Sequence, residues 1–126
     1  MTGPAALVDV AGVLARIREY RFLSSAEAEL QALIARALTQ EGIAFEREVD
    51  LGAAGRIDFL LPSCGAGLEV KVQGSPTEVL RQLQRYAGVP AIAQLVLATT
   101  RARLRSMPPT LNGKPLHVLP LTGGLL

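Results

Sequence analysis

The sequence predicts a small α/β domain in which a mixed central sheet is flanked by helices. Three observations lead to this class. The chain of 126 residues is 49% hydrophobic, which suits one domain with a sizeable core. Its apolar residues alternate between helical and strand spacing along the chain. After a first helix, the elements follow in the order helix, three strands, helix and strand.

Two amphipathic helices are predicted before the first strand. Residues 7–20 place apolar side chains at helical spacing, and this helix would cover the core or a partner subunit. The next helix is predicted over about 25–40, because Ser24 or Ser25 can cap its start and Gly42 is a stop signal.

Three antiparallel strands are predicted after the second helix. Residues 43–51 alternate apolar and polar side chains, which indicates a strand with one acidic face. Turns at 52–55 and 62–67 lead into the apolar stretches 55–61 and 67–72, which have the composition of buried strands.

The rest of the chain predicts one more helix and two strands. Residues 75–78 form a capping box with proline at the first helical position, and this helix runs to about Ala87. The continuous apolar run 91–98 indicates a strand buried on both faces. Residues 115–121 predict a last strand added at a sheet edge.

Composition limits the organisation and the class of protein. We assign residues 1–23 to an N-terminal helical extension and residues 24–126 to a single domain. The formal charge of +2 and the pI near 9.1 permit a nucleic-acid partner without demonstrating one. The single cysteine, Cys64, excludes an internal disulfide and a cysteine-based zinc site. The apolar run 5–15 contains Asp9 and is too short to span a bilayer, so we expect a cytoplasmic protein without membrane contact.

Charged side chains interrupt two of the predicted strands. Asp58 lies in the second strand, and Glu69 and Lys71 lie in the third. Such groups are costly among apolar residues unless they have partners. Because alternate residues of a strand share a face, Glu69 and Lys71 would point the same way. The only other lysine is Lys114, since the remaining basic residues are arginines.

These residue types suit hydrolysis of a phosphodiester bond. The reaction needs an activated water, neutralisation of charge on the phosphorus oxygens and help for the leaving oxygen. Mg²⁺ prefers carboxylate and carbonyl oxygens, so Asp58, Glu69 and the Val70 carbonyl are candidate metal ligands. Lys71 would act either as the base or as a stabiliser of the transition state, and the sequence leaves both roles open.

The spacing of Asp58, ten intervening residues, Glu69, one residue and Lys71 resembles the motif of the PD-(D/E)XK nuclease superfamily. The resemblance covers the chain from about 24 to 100. It implies a restriction-endonuclease-like core and a DNA-cleaving enzyme that uses Mg²⁺ or Mn²⁺. It also implies Asp58 and Glu69 as metal ligands and Lys71 as the catalytic amine. Arg56 and Ile57 stand where the name of the family has a proline before the first acid.

The resemblance also suggests site residues on two helices. Many members of the superfamily use an acid from the first core helix, and Glu27 is preferred to Glu29 because it shares the buried stripe of the predicted helix. Gln82 and Tyr86 are four residues apart and share a helix face. They resemble the Gln-x-x-x-Tyr motif of the RecB-like branch. Gln82 would orient water or a phosphate, and Tyr86 would pack beside the Lys71 strand or contact nucleic acid.

Arginines provide the expected contacts with DNA. Arg81 and Arg85 share a face of the same helix, and Arg101, Arg103 and Arg105 form a second group. The chain has no tryptophan, few other aromatic residues and no recognisable base-reading motif, so it would recognise DNA by shape and backbone. One small protomer has one site, so cutting both strands would require a homodimer.

Two other interpretations of the charged residues stay open. Asp58, Glu69 and Lys71 would form structural ion pairs at a strand edge, or the domain would be a non-catalytic module that binds nucleic acid or protein. Strand register also matters. The two acids share a face only if they pair directly, and a slip of one residue would separate them.

Overall fold

A mixed sheet lies at the centre of the protein, and the computed structural model describes residues 9–121. The helices are α1 (Val10–Ile17), α2 (Glu27–Gln40) and α3 (Pro76–Ala87). The strands are β1 (Glu46–Asp50), β2 (Arg56–Leu61), β3 (Ala66–Lys71), β4 (Gln94–Thr99), β5 (Thr110–Leu111) and β6 (Lys114–Pro120). They form one six-stranded sheet in the order β1-β2-β3-β4-β6-β5.

The sheet combines antiparallel and parallel pairs. β1, β2 and β3 form an antiparallel meander, whereas β4 pairs in parallel with both β3 and β6. α3 makes the crossover from β3 to β4, since parallel neighbours need a long connection. The predicted mixed α/β class is therefore confirmed, and the order of helix, three strands, helix and strand is present.

One face of the sheet is covered by α1 and α2. Their buried side chains form a single apolar cluster with residues of β2, β3 and β4 and with the end of β6. β3 contributes Ala66, Leu68 and Val70 to this cluster, so its even-numbered residues point towards α1 and α2. α1 thus covers the core, one of the two positions that its sequence allowed. Residues 7 and 8 of the predicted first helix lie outside the described residues.

The other face is covered by α3 and by the segments that follow β4. Val79, Leu83 and Tyr86 of α3 share a second apolar cluster with Leu95 and Leu97 of β4. Since both faces of β4 are covered, the apolar run of this strand is buried as predicted. Within residues 9–121, no helix combines the length and the apolar character needed to cross a bilayer.

The start of α3 agrees with its sequence signal in detail. Ser75 Oγ accepts a hydrogen bond from the Glu78 N–H at 3.1 Å, and the Glu78 carboxylate accepts one from the Ser75 N–H at 3.1 Å. Pro76 occupies the first helical position. The predicted capping box is therefore confirmed.

The boundaries of α2 and β1 differ from the prediction. α2 begins at Glu27 after Ala26, which makes no side-chain capping bond. Ser24 Oγ instead accepts a hydrogen bond from the Ala26 N–H at 3.0 Å, within the preceding turn. β1 is shorter than the predicted strand over 43–51. The short strand β5, which the sequence did not reveal, lies outside β6, so the last long strand is not the outermost one.

The regular alternation of side chains between the two faces of the sheet is broken at one position in β1 and β2. Glu48 has a φ of 50°, which is uncommon for a residue with a side chain. In β2, Phe59 packs on the α1–α2 side, whereas Ile57, two residues away, packs on the α3 side together with Val49. In the register set by the neighbouring pairs, Asp58 lies opposite Glu48. Asp58 is therefore located where the regular sheet is interrupted.

Gly67 permits close packing in the core. A Cβ atom there would lie 2.5 Å from Ile57 Cδ1 and 3.2 Å from Ile92 Cδ1. We expect Gly67→Ala to lower the free energy of unfolding by about 1–3 kcal/mol, because it overpacks buried side chains. Gly12→Ala is the control, since none of the described residues places a neighbouring atom within 4 Å of its added Cβ. This helical substitution should stabilise the protein by about 0.5–1 kcal/mol. Urea unfolding measures both changes, and an unchanged stability of Gly67→Ala would contradict the expectation.

Candidate active site

The carboxylates of Asp58 and Glu69 meet where β2 and β3 stop pairing. The ladder between these strands ends with Phe59 opposite Leu68, so the next position in the same register places Asp58 opposite Glu69. The observed pairs show no slip of one residue up to Phe59. Beyond this pair, hydrogen bonds between the two strands, rather than a continued ladder, hold the Asp58 and Glu69 carboxylates near each other.

Side chains replace the strand ladder at this point. The Asp58 N–H donates to Glu69 Oε1 at 3.1 Å, and the Val70 N–H donates to Asp58 Oδ2 at 2.8 Å. In an extended strand the N–H and C=O of one residue point to the same neighbouring strand, so the Val70 carbonyl also faces β2. Two carboxylates and one main-chain carbonyl thus lie at the same gap between strands.

Burial and repulsion raise the pKa values of both acids. Glu69 is only 3% exposed. Its burial, followed by the charge of Asp58, raises the pKa of Glu69 to about 7. Burial also raises the pKa of Asp58, although the hydrogen bond from the Val70 N–H opposes the increase. A shared proton or a bound cation would relieve the repulsion between the two carboxylates.

Lys71 places its ammonium at the edge of the acid pair. Lys71 Nζ lies 3.5 Å from Glu69 Oε2, and the side chains of Lys71 and Glu69 are 22% and 4% exposed. Both residues point to the α3 side of β3, as the strand alternation predicts. The ammonium is therefore the more exposed partner of the buried Glu69 carboxylate.

Of the two candidate acids on α2, Glu27 is the one placed near the site. It is partly buried, and its charge contributes to the raised pKa of Asp58, whereas Glu29 is exposed. Among residues 9–121, no three or more His, Cys, Asp or Glu side chains are grouped closely enough to hold a metal ion. Glu27 thus influences Asp58 without completing a set of three acidic ligands.

The α3 face with Gln82 and Tyr86 is turned towards β2. The Tyr86 hydroxyl accepts a hydrogen bond from Gln82 Nε2 at 2.7 Å and donates one to the Arg56 carbonyl at 2.8 Å. Burial, followed by the charge of Glu69, raises the pKa of Tyr86 to about 12. Tyr86 is 1% exposed. It therefore braces the start of β2 and offers almost no surface to a nucleic acid.

The arginines of α3 lie on its exposed side. Arg81 and Arg85 are both exposed. The charge of Arg85 opposes the increase in the pKa of Tyr86, the next residue along the helix. Arg81 instead helps to lower the pKa of Glu78 at the start of the helix.

The other predicted arginines follow β4. The segment that carries them contains a short 3-10 turn, Ala102–Leu104. Arg101 precedes this turn, and its Nε donates to the Val72 carbonyl at 2.8 Å. Arg103 and Arg105 are exposed. Among the described residues, neither of these two side chains forms a hydrogen bond or an ion pair.

Sequence reasoning missed three groups around the site. The main-chain carbonyls of Arg56 and Val72 accept hydrogen bonds from side chains, and such roles depend on the chain path rather than on residue type. Thr99 is fully buried opposite Lys71, and its Oγ1 accepts a hydrogen bond from the Arg101 N–H at 3.0 Å. Thr99 could have been predicted as a site residue, because it is a polar residue at the end of an apolar strand.

The bracing hydroxyl of Tyr86 should contribute to stability. We expect Tyr86→Phe to lower the free energy of unfolding by about 1–2 kcal/mol, because Gln82 and the Arg56 carbonyl lose their shared partner. Tyr20→Phe is the control, since the Tyr20 hydroxyl donates to Glu41 Oε2 at 2.6 Å in a more exposed place. Chemical unfolding of the three proteins measures the difference, and equal losses for both variants would argue against the bracing role.

Comparisons with protein-family models, curated proteins and solved structures gave no match. The function is therefore inferred from the arrangement of side chains around Asp58, Glu69 and Lys71. The inference also uses the order of the elements that hold these residues.

Proposed function

We propose that this protein is a metal-dependent deoxyribonuclease with a restriction-endonuclease-like core. The observation that carries the proposal is the placement of Asp58, Glu69 and Lys71 together where β2 and β3 separate. The order of helix, antiparallel meander, crossover helix and parallel strand also agrees with the core that the PD-(D/E)XK resemblance implies. The proposed reaction is hydrolysis of phosphodiester bonds in DNA.

The acid pair fits a divalent cation. The carboxylates of the buried Glu69 and the partly buried Asp58 have raised pKa values and repel each other when both are ionised, and a cation removes this repulsion. Asp58, Glu69 and the Val70 carbonyl would hold Mg²⁺ or Mn²⁺, both of which accept oxygen ligands. When bound, the cation would neutralise charge on the phosphate and lower the pKa of water.

Lys71 would contact the phosphate that is cleaved. Its ammonium carries three donors, and the ion pair with Glu69 Oε2 leaves donors free on the solvent side. A positive charge held there stabilises the negative charge that develops on the phosphorus oxygens. Glu69 keeps the ammonium in place, which reduces the reorganisation needed during the reaction.

Glu27 on α2 and Gln82 on α3 would assist metal binding and the positioning of water. Glu27 raises the pKa of Asp58 through its charge, so it adds to the negative potential that attracts a cation. Gln82 is partly exposed and uses its amide nitrogen to donate to the Tyr86 hydroxyl. Its carbonyl oxygen is then the group that would orient water.

The substrate would be recognised through its backbone. Arg101 is tied to the Val72 carbonyl next to Lys71, and Arg85 precedes Tyr86 on α3. Both arginines are exposed, and such groups contact phosphates without reading base sequence. Cutting both strands would require two copies of the single site, and hence a homodimer. Light scattering at the protein concentration used for double-strand cleavage tests this expectation, and a monomer there would overturn it.

The competing function is a non-catalytic module that binds nucleic acid or protein. One observation favours it, because both carboxylates already accept main-chain hydrogen bonds, as they would in a structural network. Calorimetric titration with Mn²⁺ separates the two functions. A nuclease site binds the ion, and Asp58→Asn weakens the binding, whereas no heat of binding would favour the module.

A panel of DNA substrates tests the proposed activity directly. Linear, circular, single-stranded and branched DNA are incubated with the purified protein and Mg²⁺ or Mn²⁺, and parallel reactions contain EDTA. We expect cleavage of at least one architecture with a divalent cation and none with EDTA. If all four architectures remain uncut with both metals, the nuclease proposal is wrong.

A further inference from the structure

We propose that Arg101 holds the phosphate next to the one that is cleaved, an inference that rests on the nuclease function proposed above. Arg101 lies two residues beyond Thr99, which pairs with Lys71 across β3 and β4. The Nε of Arg101 also donates to the carbonyl of Val72, the residue after Lys71. Both cations therefore lie at the same end of the sheet.

Two hydrogen bonds orient Arg101. Its main-chain N–H donates to Thr99 Oγ1 at 3.0 Å, and its Nε donates to the Val72 carbonyl at 2.8 Å. Val72 directly follows Lys71, so the guanidinium is tied to the strand that carries the ammonium. The bond uses Nε alone, and the two terminal nitrogens of the planar group keep their donors for a ligand.

Arg101 has no acidic partner among residues 9–121. The ion pairs found there join Arg56 to Glu48 and Lys71 to Glu69. A guanidinium that is fixed in place and not neutralised by a carboxylate suits bidentate binding of a phosphate. Arg103 is also exposed, but no side-chain hydrogen bond orients it within that part of the chain. The structure thus distinguishes Arg101 from the neighbouring arginines, which the sequence could not do.

Arg101→Gln tests this role, and Arg103→Gln is the matched control from the same segment. Binding of a labelled DNA duplex is measured in EDTA between about 50 and 200 mM salt, where each phosphate contact adds about 0.9 to the slope of log affinity against log salt. We expect Arg101→Gln to reduce the slope by about 0.9 and Arg103→Gln to leave it close to the parent value. Arg101→Lys keeps the charge and should recover the slope.

Cleavage with Mn²⁺ provides a second readout. Loss of a phosphate contact made equally in the ground state and the transition state raises KM without changing kcat, so we expect Arg101→Gln to raise KM about five- to tenfold. Equal slopes and equal KM values for Arg101→Gln and Arg103→Gln, with a parent that cuts DNA, would overturn the role of Arg101 alone. Lower thermal stability with an unchanged slope would also overturn it, because Arg101 would then only tie β3 to β4. A parent that cuts no DNA overturns the nuclease function itself.

Discussion

Lys71→Ala is expected to slow metal-dependent DNA cleavage by about 10²- to 10³-fold, the usual effect of removing one preorganised donor from a developing negative charge. The ammonium lies 3.5 Å from Glu69 Oε2 and is the partly exposed member of this pair. Alanine removes the charge from the edge of the site and leaves both carboxylates in place. Single-turnover cleavage with excess enzyme and Mn²⁺ measures the chemical step without the contribution of product release.

Lys114→Ala is the matched control for this experiment, since Lys114 is the only other lysine of the chain. Its Nζ donates to the Val89 carbonyl at 2.9 Å near the end of α3. We therefore expect its loss to affect local stability and to leave the cleavage rate close to that of the parent. Equal rates for Lys71→Ala and the parent would exclude Lys71 from the reaction, and equal losses for the two lysine variants would indicate a general effect of charge.

The sequence predicted an element boundary well where all the hydrogen-bonding partners at that boundary lie within one short segment. The capping box of α3 is an example, because Ser75 and Glu78 satisfy each other's main-chain groups within one turn. The start of α2 shows the limit of such signals. Ser24 is a good capping residue, but its hydroxyl bonds to Ala26 in a turn, and the helix begins one residue further on without a side-chain cap. The Ser24 hydroxyl has a hydrogen-bond partner either as a helix cap or within the turn, so the sequence alone does not predict which of the two forms.

The meeting of Asp58 with Glu69 shows what depends on long-range structure. The sequence predicted one acid on each of two neighbouring strands, and only the register decides whether they share a face. The ladder keeps the required register up to Phe59 and Leu68, and side-chain hydrogen bonds then bring Asp58 next to Glu69. No residue pattern predicted the left-handed backbone conformation of Glu48 or the packing of Ile57 and Phe59 on opposite faces of the sheet. These features depend on how β1 and β2 pack between the two helical layers.

Tyr86 illustrates a helix face that was predicted correctly while the role of one residue was left undecided. The spacing of Gln82 and Tyr86 places both on one side of α3, and they do form a hydrogen bond. The sequence allowed Tyr86 either to pack inside or to contact nucleic acid. Burial decides between these, because an almost fully buried ring with its hydroxyl on the Arg56 carbonyl acts through β2.

Without a divalent cation, the protein is expected to become less stable as the pH rises from 4.5 to about 7. The pKa of Glu69 rises from its usual value of 4.5 to about 7 in the folded protein, so the folded state holds this proton more tightly than the unfolded chain. The resulting stability is complete below the unfolded pKa and is lost as the pH rises through the folded pKa. Asp58, whose pKa is also raised by burial, acts in the same direction. The total change is on the order of 1–3 kcal/mol.

Glu69→Gln should remove most of this dependence, because the amide stays neutral at every pH in the range. Glu46→Gln is the control, since Glu46 is exposed on the outer strand β1. Urea unfolding of the three proteins at several pH values between about 4.5 and 7.5 measures the slopes. If the parent and Glu69→Gln had the same pH profile, the raised pKa of Glu69 would be contradicted.

Mn²⁺ should counteract the loss of stability that the parent protein shows as the pH rises. The ion needs ionised carboxylates, so protons compete with it at the Asp58 and Glu69 pair, and its stabilising effect should be larger above pH 7 than near pH 5. At a free Mn²⁺ concentration of about 100 times Kd, the gain in the free energy of unfolding would be about 2.7 kcal/mol. Glu69→Gln should lose most of this gain at both pH values. Equal stabilisation of the parent and Glu69→Gln by Mn²⁺ would show that the ion binds elsewhere, and the acid pair would then have no part in holding a cation.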